Sequence, residues 1–426
     1  MSLLITRGLV VDPARNLEQE LDLLLENGKI AALEPSGAIP RKGRRVVKAD
    51  GLVVAPGLID MHVHLREPGE EYKETIETGA RAAVRGGFTG VACMPNTRPV
   101  NDSSSVTRFI LDQAKEAGLA RVYPVAAISV GSHGENLSEY GDLKAAGAVA
   151  LSDDGRPVMN PLLMRRALEY AKTFDLPLLL HCEDLNLRAD GVMHEGRVSL
   201  ELGLKGIPAA AEEVMVFRDL ELARLTRGRV HIMHVSTRGS VALIRRAKAQ
   251  GLKVTAETAP HYFTLTEEAV RGYNTNAKVN PPLRTAADLV AIKEGLRDGT
   301  LDAIASDHAP HGPLEKDVEF SEAAFGLIGL ETSLGLNLKL VHEGVISLMQ
   351  AVALLSTHPA RILGVPGGTL AVGAPADVTL IDLNREWTVD VNTFASKSRN
   401  CPFDGWTLKG RAVMTIVGGK IVSSEQ

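Results

Sequence analysis

Residues 58–67, LIDMHVHLRE, join an apolar run to imidazole and charged side chains at its carboxyl end. His62 and His64 are two residues apart, so on an extended segment both side chains point to the same face and can share one ion. Apolar runs that end in ionisable residues recur over roughly 250 residues, the length typical of one (β/α)8 barrel. The eight strand candidates are LIDMHVHL (58–65), TGVACMP (89–95), VYPVAAIS (122–129), AVALSDD (148–154), PLLLHCED (177–184), RVHIMHVS (229–236), KVTAETAP (253–260) and DAIASDHAP (302–310).

Amphipathic stretches alternate with these runs, as in ETGARAAVRGG (77–87) and SVALIRRAKAQG (240–251). Repeated βα units predict a parallel sheet with helices packed on it. Eight such strands favour an α/β fold of the (β/α)8 TIM-like barrel type over an open doubly wound sheet. No GxGxxG motif opens a helix to indicate a dinucleotide site.

The two ends of the chain share a different sequence pattern, in which short apolar runs alternate with tight turns. Asn27-Gly28 and Gly418-Gly419 are two-residue hairpin signals between such runs. We therefore predict a small β-sandwich-like domain built from residues 1–55 plus 366–426. The barrel is expected to occupy residues 56–365.

Composition excludes several classes of function. The 47 basic and 52 acidic residues are nearly balanced and interspersed, so no basic stripe indicates nucleic-acid binding. No run of about 18 apolar residues and no signal-peptide pattern is present, so we expect a cytoplasmic protein without membrane association. The three cysteines, which form no CxxC pair, argue against a cysteine-built metal site. A small-molecule substrate, and a metal held by histidine and carboxylate, are the remaining expectations.

Ionisable residues stand where a barrel enzyme carries its catalytic groups, at the carboxyl ends of the strands. Burying such groups costs several kcal/mol unless they are paired or bound to metal, so their recurrence predicts a metal site. Imidazole and carboxylate without thiolate fit Zn²⁺ best, with Mn²⁺, Fe²⁺ or Co²⁺ as alternatives. Six candidates exceed the three protein ligands usual for one catalytic zinc, so two metals are expected. The strand-end candidates beyond His62 and His64 are Asp153 or Asp154, His181, His234 and Asp307.

The motifs together resemble the bacterial class I dihydroorotases of the amidohydrolase superfamily, over essentially the whole chain. HLREPG, MPNT and SDHAPH are the most specific of them. The terminal run GTLAVGAPADVTLID (368–382) is similar to that superfamily's return into its small β-domain. The motifs that carry the resemblance are GLIDMHVHLREPG (57–69), MPNT (94–97), SDDG (152–155), HCED (181–184), HVST (234–237), ETAPH (257–261) and SDHAPH (306–311).

The resemblance implies a set of roles for the strand-end residues. His62, His64 and Asp307 would bind the first Zn²⁺, and His181 and His234 the second. Asp154 would bridge the two metals, although the sequence alone leaves Asp153 open. Related dihydropyrimidinases and allantoinases use a carboxylated lysine as the bridge, and no lysine stands near the end of the fourth strand. This difference favours the aspartate-bridged branch.

Three other histidines receive separate interpretations. His231 competes with His234 on the sixth strand, but His234 is nearer the strand's carboxyl end, so His231 is expected to pack in the core. His261 ends ETAPH and is a candidate for a position just outside the metal ligands. His133, in SHGEN, is expected to be a loop residue.

The substrate implied by the resemblance is L-dihydroorotate, interconverted with N-carbamoyl-L-aspartate in pyrimidine biosynthesis. A metal-bridging hydroxide would attack the ring amide, and Asp307 would carry the proton to the leaving nitrogen. An Arg fork with neutral donors suits the substrate carboxylate. The implied substrate contacts are His64, the carboxylate set Arg66, Asn96 and His311, and the ring contacts Asn280, Phe325 and Gly326.

Two alternatives and several associations stay open at this point. Another cyclic amidohydrolase, acting on hydantoin, allantoin or dihydropyrimidine, would leave a buried Arg66 without a carboxylate partner. A non-catalytic partner subunit is expected to have lost metal ligands, and here every position is filled. We also expect a homo-oligomer, with association with aspartate carbamoyltransferase as a further option. Residues 309–320 could form a loop that closes over substrate.

Overall fold

The computed structural model describes residues 2–425. Within them no helix is both long enough and apolar enough to cross a bilayer. The strands, in chain order, are β1 (Ser2–Asp12), β2 (Leu17–Glu26), β3 (Lys29–Pro35), β4 (Arg45–Lys48), β5 (Val53–Pro56), β6 (Leu58–Val63), β7 (Phe88–Cys93), β8 (Arg121–Ala126), β9 (Ala150–Leu151), β10 (Leu178–Leu180), β11 (Met193–His194), β12 (Gly206–Ile207), β13 (Val230–Ile232), β14 (Val254–Thr258), β15 (Ala303–Ile304), β16 (Val378–Thr388), β17 (Thr407–Val417) and β18 (Lys420–Ser424).

The helices lie mainly between the barrel strands. Both quoted amphipathic stretches are helical. One of them follows Thr75, whose side chain accepts from the Thr78 N–H as an N-cap. The α-helices are α1 (Ile76–Arg85), α2 (Ser104–Ala117), α3 (Tyr140–Ala146), α4 (Pro161–Thr173), α5 (Leu185–Arg188), α6 (Arg197–Leu202), α7 (Ala210–Thr226), α8 (Arg238–Ala249), α9 (Ala286–Asp298), α10 (Pro313–Lys316), α11 (Leu330–His342), α12 (Leu348–Val352) and α13 (His358–Leu363).

Eight strands form the predicted parallel barrel, in the order β6, β7, β8, β9, β10, β13, β14 and β15. The first and last strands meet through a parallel bridge between Val63 and His308. The His64 N–H also donates to the His308 carbonyl at 2.8 Å. These contacts nearly close the sheet on itself, which confirms the (β/α)8 fold.

Most barrel strands end sooner than the sequence predicts. β9 and β15 contain two residues each, and β10 and β13 contain three. His234 and Asp307 lie beyond the ends of β13 and β15 with φ of 33° and 49°, in the left-handed region. This backbone conformation breaks the ladder and is costly for a residue other than glycine, and it is typical of functional sites.

The strands from both chain ends form one mixed sheet, in the order β18, β17, β16, β5, β1, β2 and β3, with β4 also paired to β1. Asn27-Gly28 joins β2 to β3 and Gly418-Gly419 joins β17 to β18, all four residues with positive φ as a two-residue hairpin turn requires. A small β-domain built from both ends is therefore confirmed. Its division from the barrel at residues 55 and 366 stays a prediction.

The terminal sheet packs closely on the barrel. Val53, Ile381 and Ala412 of the sheet belong to the same buried apolar cluster as the barrel residues. Gly57 connects β5 to β6 where a Cβ atom would overlap the Thr89 side chain, so only glycine fits between the two parts. The barrel rim is thus positioned by a core that both parts share.

Candidate metal centre and active site

The first cluster of candidate ligands lies at the carboxyl ends of β6 and β15. The Nε2 atoms of His62 and His64 are 3.6 and 3.5 Å from Asp154 Oδ2. They are 3.6 and 3.2 Å from Asp307 Oδ1. All four side chains are buried. Two imidazole nitrogens and two carboxylate oxygens therefore surround one small space.

The second cluster uses the other oxygen of the same aspartate. Asp154 Oδ1 is 3.4 Å from His181 Nδ1 and 3.4 Å from His234 Nε2. Asp154 thus faces both clusters, one oxygen to each. Asp153 turns away, and its carboxylate accepts from the backbone N–H groups of Ile128 and Ser129 at 2.8 and 3.2 Å.

The donor set fits bound cations. His62 Nε2 is buried and has no hydrogen-bond partner among residues 2–425. His181 Nδ1 and His234 Nε2 face each other at 2.9 Å, so one of them must hold a proton or both must share a cation. Burial lowers the pKa of His181, but the hydrogen bonds and charges of Asp154 and Glu183 outweigh it and raise that pKa to about 10. The pocket therefore attracts positive charge at the positions that metals would occupy.

Further carboxylate and amide groups orient the imidazoles from behind. Glu257 Oε1 accepts from His62 Nδ1 at 3.0 Å, and Glu183 Oε2 lies 3.3 Å from His181 Nε2. Asn96 Oδ1 is 2.9 Å from His64 Nδ1. Such partners fix the ring orientation and raise the basicity of a metal-binding histidine. Glu183 and Glu257 received no role from the sequence, although each stands in a motif at a strand end.

The three other histidines that the sequence singled out lie outside the two clusters. His231 is buried behind them, with Nδ1 2.8 Å from Thr255 Oγ1 and Nε2 3.3 Å from Glu257 Oε2. His261 is buried against the Tyr262 ring, and burial lowers its pKa to about 4, so its imidazole is neutral. His133 lies in the loop between β8 and α3.

A cavity of about 240 Å³ opens onto both clusters. Every residue that the resemblance assigned to substrate lines it. Gly155 and Ala309, which stand in the SDDG and SDHAPH motifs, line it as well. Arg188 also lines it, although no motif indicated this residue. The predicted residues on its wall are His64, Arg66, Asn96, Asn280, His311, Phe325 and Gly326.

Arg66 and His311 form a buried pair in this cavity. Arg66 Nε donates to the Pro310 carbonyl at 3.1 Å, and one terminal nitrogen is 3.2 Å from His311 Nε2. Arg66 is 8% exposed and adopts a positive φ of 63°, so its backbone is held against its intrinsic preference. Burial and the neighbouring cations, Arg66 foremost, lower the pKa of His311 to about 2. The pair therefore presents one positive charge beside a neutral imidazole.

The ring-contact candidates come from separate segments. Asn280 Nδ2 donates to Glu183 Oε2 at 3.1 Å, and its Oδ1 is buried with no partner in the described chain. Gly326 has a φ of 134°, and a Cβ atom there would lie 2.7 Å from Ala309 Cβ. Arg188 lies over the Phe325 ring at 5.3 Å. The 309–320 segment contributes Ala309 and His311 to the wall before it continues into α10.

Comparison with known proteins identifies the family. A family model described as Dihydro-orotase-like matches residues 51–240. The dihydroorotase of Syntrophus aciditrophicus is 57% identical over 426 residues, all of both chains, and that of Geobacter sulfurreducens is 60% identical over 424 residues. The chain belongs to the dihydroorotase family. The resemblance indicated by HLREPG, MPNT and SDHAPH is thereby confirmed.

Solved structures of related enzymes share the architecture of this dihydroorotase family member. The L-hydantoinase (dihydropyrimidinase) of Arthrobacter aurescens superimposes with a TM-score of 0.88 at 26% identity, over 99% of this chain and 96% of that one. The dihydropyrimidinase of Brevibacillus agri superimposes with a TM-score of 0.85 at 23% identity, over 100% and 95%. The latter likeness concerns the fold alone.

Proposed function

We propose that this protein is a dihydroorotase, which reversibly hydrolyses the ring amide of L-dihydroorotate to N-carbamoyl-L-aspartate. One observation carries the proposal beyond family membership: the Arg66–His311 pair and both ligand clusters line the same cavity. A substrate that carries both a cyclic amide and a carboxylate could place the amide at the ligand clusters and the carboxylate at the Arg66–His311 pair. Hydantoin and dihydropyrimidine lack the carboxylate and would leave Arg66 unpaired.

The ligands would be His62, His64 and Asp307 for one Zn²⁺ and His181 and His234 for the other, with Asp154 between them. The support is the orphaned His62 Nε2 and the division of the two Asp154 oxygens between the clusters. When bound, the metal pair would activate water as a nucleophile at neutral pH and polarise the amide carbonyl. Glu257 would hold the His62 imidazole, and Glu183 the His181 imidazole, in the orientation that metal binding requires.

Asp307 is the proposed proton carrier. Hydrolysis breaks the bond between the ring carbonyl carbon and the ring nitrogen, adds a hydroxyl group to the carbon and gives the nitrogen a proton. Asp307 Oδ1 lies 3.2 Å from His64 Nε2 and the residue lines the cavity, so its carboxylate reaches the ligand cluster and the substrate space together. It would accept the proton of the attacking water and return it to the leaving nitrogen.

Arg66, Asn96 and His311 would bind the substrate carboxylate. The Arg66 guanidinium keeps donors free beyond the Nε–H that the Pro310 carbonyl accepts, and a charge-assisted bond in a buried cavity is strong. Asn96 uses its oxygen for His64, which leaves its NH2 group for the substrate. One side chain thereby connects carboxylate binding to the orientation of a metal ligand.

Asn280, Phe325 and Gly326 would contact the ring, with His64 beside it. The buried and unpartnered Asn280 Oδ1 can accept from a ring N–H. Gly326 lets the backbone approach closely because no Cβ atom intrudes. The segment 309–320 would close over the bound ring.

We further propose that the protein acts in the cytoplasm as a homo-oligomer, with aspartate carbamoyltransferase as a candidate partner. The support for the compartment is that all three cysteines are free and buried. Size-exclusion chromatography with light scattering, alone and with that enzyme added, tests the associations.

The decisive experiment measures both directions of the reaction with the purified protein. Turnover of dihydroorotate and cyclisation of carbamoyl aspartate are expected, with hydantoin and dihydrouracil as comparison substrates. Chelation should abolish the activity, and Zn²⁺ alone should restore it in buffer depleted of carbon dioxide, because an aspartate bridge needs no carboxylation. Preference for hydantoin, or full turnover by metal-free protein, would refute the proposal.

A further inference from the structure

A segment of the terminal part of the chain, residues 395–401 between β16 and β17, reaches the cavity wall. Its Asn400 is 3% exposed. Asn400 Oδ1 accepts from the His311 N–H at 3.2 Å, and Nδ2 donates to the Ala309 and Gly326 carbonyls at 3.0 and 3.1 Å. One amide side chain thus joins three residues that line the cavity.

The segment itself is fixed at several points. Ser398 Oγ donates to the Lys73 carbonyl at 2.8 Å, and Ser396 Oγ donates to Glu74. The Asn400 carbonyl accepts from the Ile328 N–H at 2.9 Å. Ser396 and Ser398 therefore bind the loop after β6, and Asn400 binds the loops after β15. Asn400 has little freedom to move as a result.

The hydrogen bonds of Asn400 connect to the Arg66 guanidinium through residues 309–311. Pro310 lies between Ala309 and His311, both of which Asn400 holds, and its carbonyl accepts from Arg66 Nε at 3.1 Å. His311 Nε2 is 3.2 Å from the Arg66 guanidinium and 2.9 Å from the Phe325 carbonyl. A shift of residues 309–311 would therefore move the guanidinium and the imidazole together.

We propose that Asn400 is a positioning residue for the carboxylate-binding group, holding the 309–311 and 326 backbones at the spacing that sets Arg66 and His311. The proposal rests on the proposed function for the identity of the ligand. Asn400 does not line the cavity, and its hydrogen bonds go to His311, Ala309, Gly326 and Ile328, so it acts through these loops.

The test compares Asn400→Ala and Asn400→Asp with the control Asn337→Ala. Asn337 is equally buried, and its Nδ2 donates to the Ser333 carbonyl at 2.8 Å within α11, away from the cavity. Asn400→Asp keeps the size and the acceptor for His311 but sets a carboxylate oxygen against both carbonyls, so it moves the same backbones without opening a cavity. For each variant KM, kcat, metal content and Tm are measured.

Both Asn400 variants should raise KM for dihydroorotate by about 10- to 100-fold, the scale of losing one hydrogen bond to a charged group, with normal metal content and a kcat within about threefold. The control should lower Tm and leave KM unchanged. Unchanged KM in the Asn400 variants, a loss confined to kcat, or an equal KM rise in Asn337→Ala would overturn the inference.

Amide hydrogen exchange separates this inference from the proposed function. If the unsubstituted protein turns over neither substrate, the function fails. The positioning role then stands or falls on whether Asn400→Ala, unlike Asn337→Ala, speeds exchange at the amides of residues 309, 311, 312 and 326–329. Equal protection in the two variants would overturn it.

Discussion

The cavity has two walls that are built differently. On the metal-ligand wall (His64, Asp154, His181, His234 and Asp307), side chains from the ends of separate strands face one another, and the fully buried His62 completes the first cluster. On the carboxylate wall (Arg66, Asn96 and His311), the guanidinium and imidazole bind backbone carbonyls at Pro310 and Phe325. The metal-ligand wall is a cluster of ionisable side chains that face one another. The carboxylate wall carries a single charged group, Arg66, whose position depends on the backbone of neighbouring loops.

The difference indicates how each wall should respond to damage. Removing a carboxylate from the metal-ligand wall leaves buried imidazoles without a counter-charge and weakens metal binding, so chemistry should be lost. Removing the Arg66 guanidinium or the His311 imidazole from the carboxylate wall leaves the ligand clusters intact, so binding of substrate should be lost. Asn96 is the exception, because its oxygen also orients His64. The predictions below test this division, beginning with the largest effect.

Asp154→Ala should cause the greatest loss of activity, because both clusters lose a ligand and the second retains only His181 and His234, below the three protein ligands of a catalytic zinc site. Metal analysis should show loss of most of the second metal. Asp153→Ala should lower Tm, since three hydrogen bonds disappear, yet retain both metals. The reverse pattern would place the bridge at Asp153.

Asp307→Asn should lower kcat in both directions by about 10²- to 10⁴-fold, the range for loss of a general acid or base. The amide keeps the shape and an oxygen for the cluster but cannot take a proton. Steady-state kinetics in both directions give the measurement. A mild effect on kcat would show that Asp307 is not the proton carrier.

Arg66→Met should weaken substrate binding by about 2 to 5 kcal/mol, the cost of removing one partner of a buried charge pair, with metal content unchanged. The change should appear in KM for dihydroorotate and carbamoyl aspartate. Arg188→Met is the matched comparison, since Arg188 lines the same cavity. A larger KM effect from Arg188→Met would place the substrate carboxylate at the other arginine.

Glu257→Gln should lower metal affinity by about 10- to 100-fold, the usual effect of losing a carboxylate behind a ligating histidine. The hydrogen bond to His62 Nδ1 would lose its charge while the packing stays the same. Competition with a chelator measures the affinity. Glu331→Gln, at a buried carboxylate that binds the Ala395 N–H, is the control and should leave the affinity unchanged.

Much of the fold was predictable because its signals are local. Apolar runs of a few residues, amphipathic stretches and the two glycine-containing turns gave the eight barrel strands and the terminal sheet. The candidate ligands followed because parallel barrel strands present their carboxyl ends at one rim, whatever the loops do. Strand lengths were overestimated, since His234 and Asp307 leave the ladder with positive φ.

The sequence by itself thus determined the architecture and the residue types that gather at the rim. Only the tertiary structure decided that Asp154 faces the histidines while its neighbour Asp153 turns to the Ile128–Ser129 backbone. It alone brought Arg188 into the cavity and Asn400 against Ala309, 91 positions away in the chain. The physical reason is range: strand and turn preferences act over a few residues, whereas the direction of a side chain beyond a strand end depends on packing between distant segments.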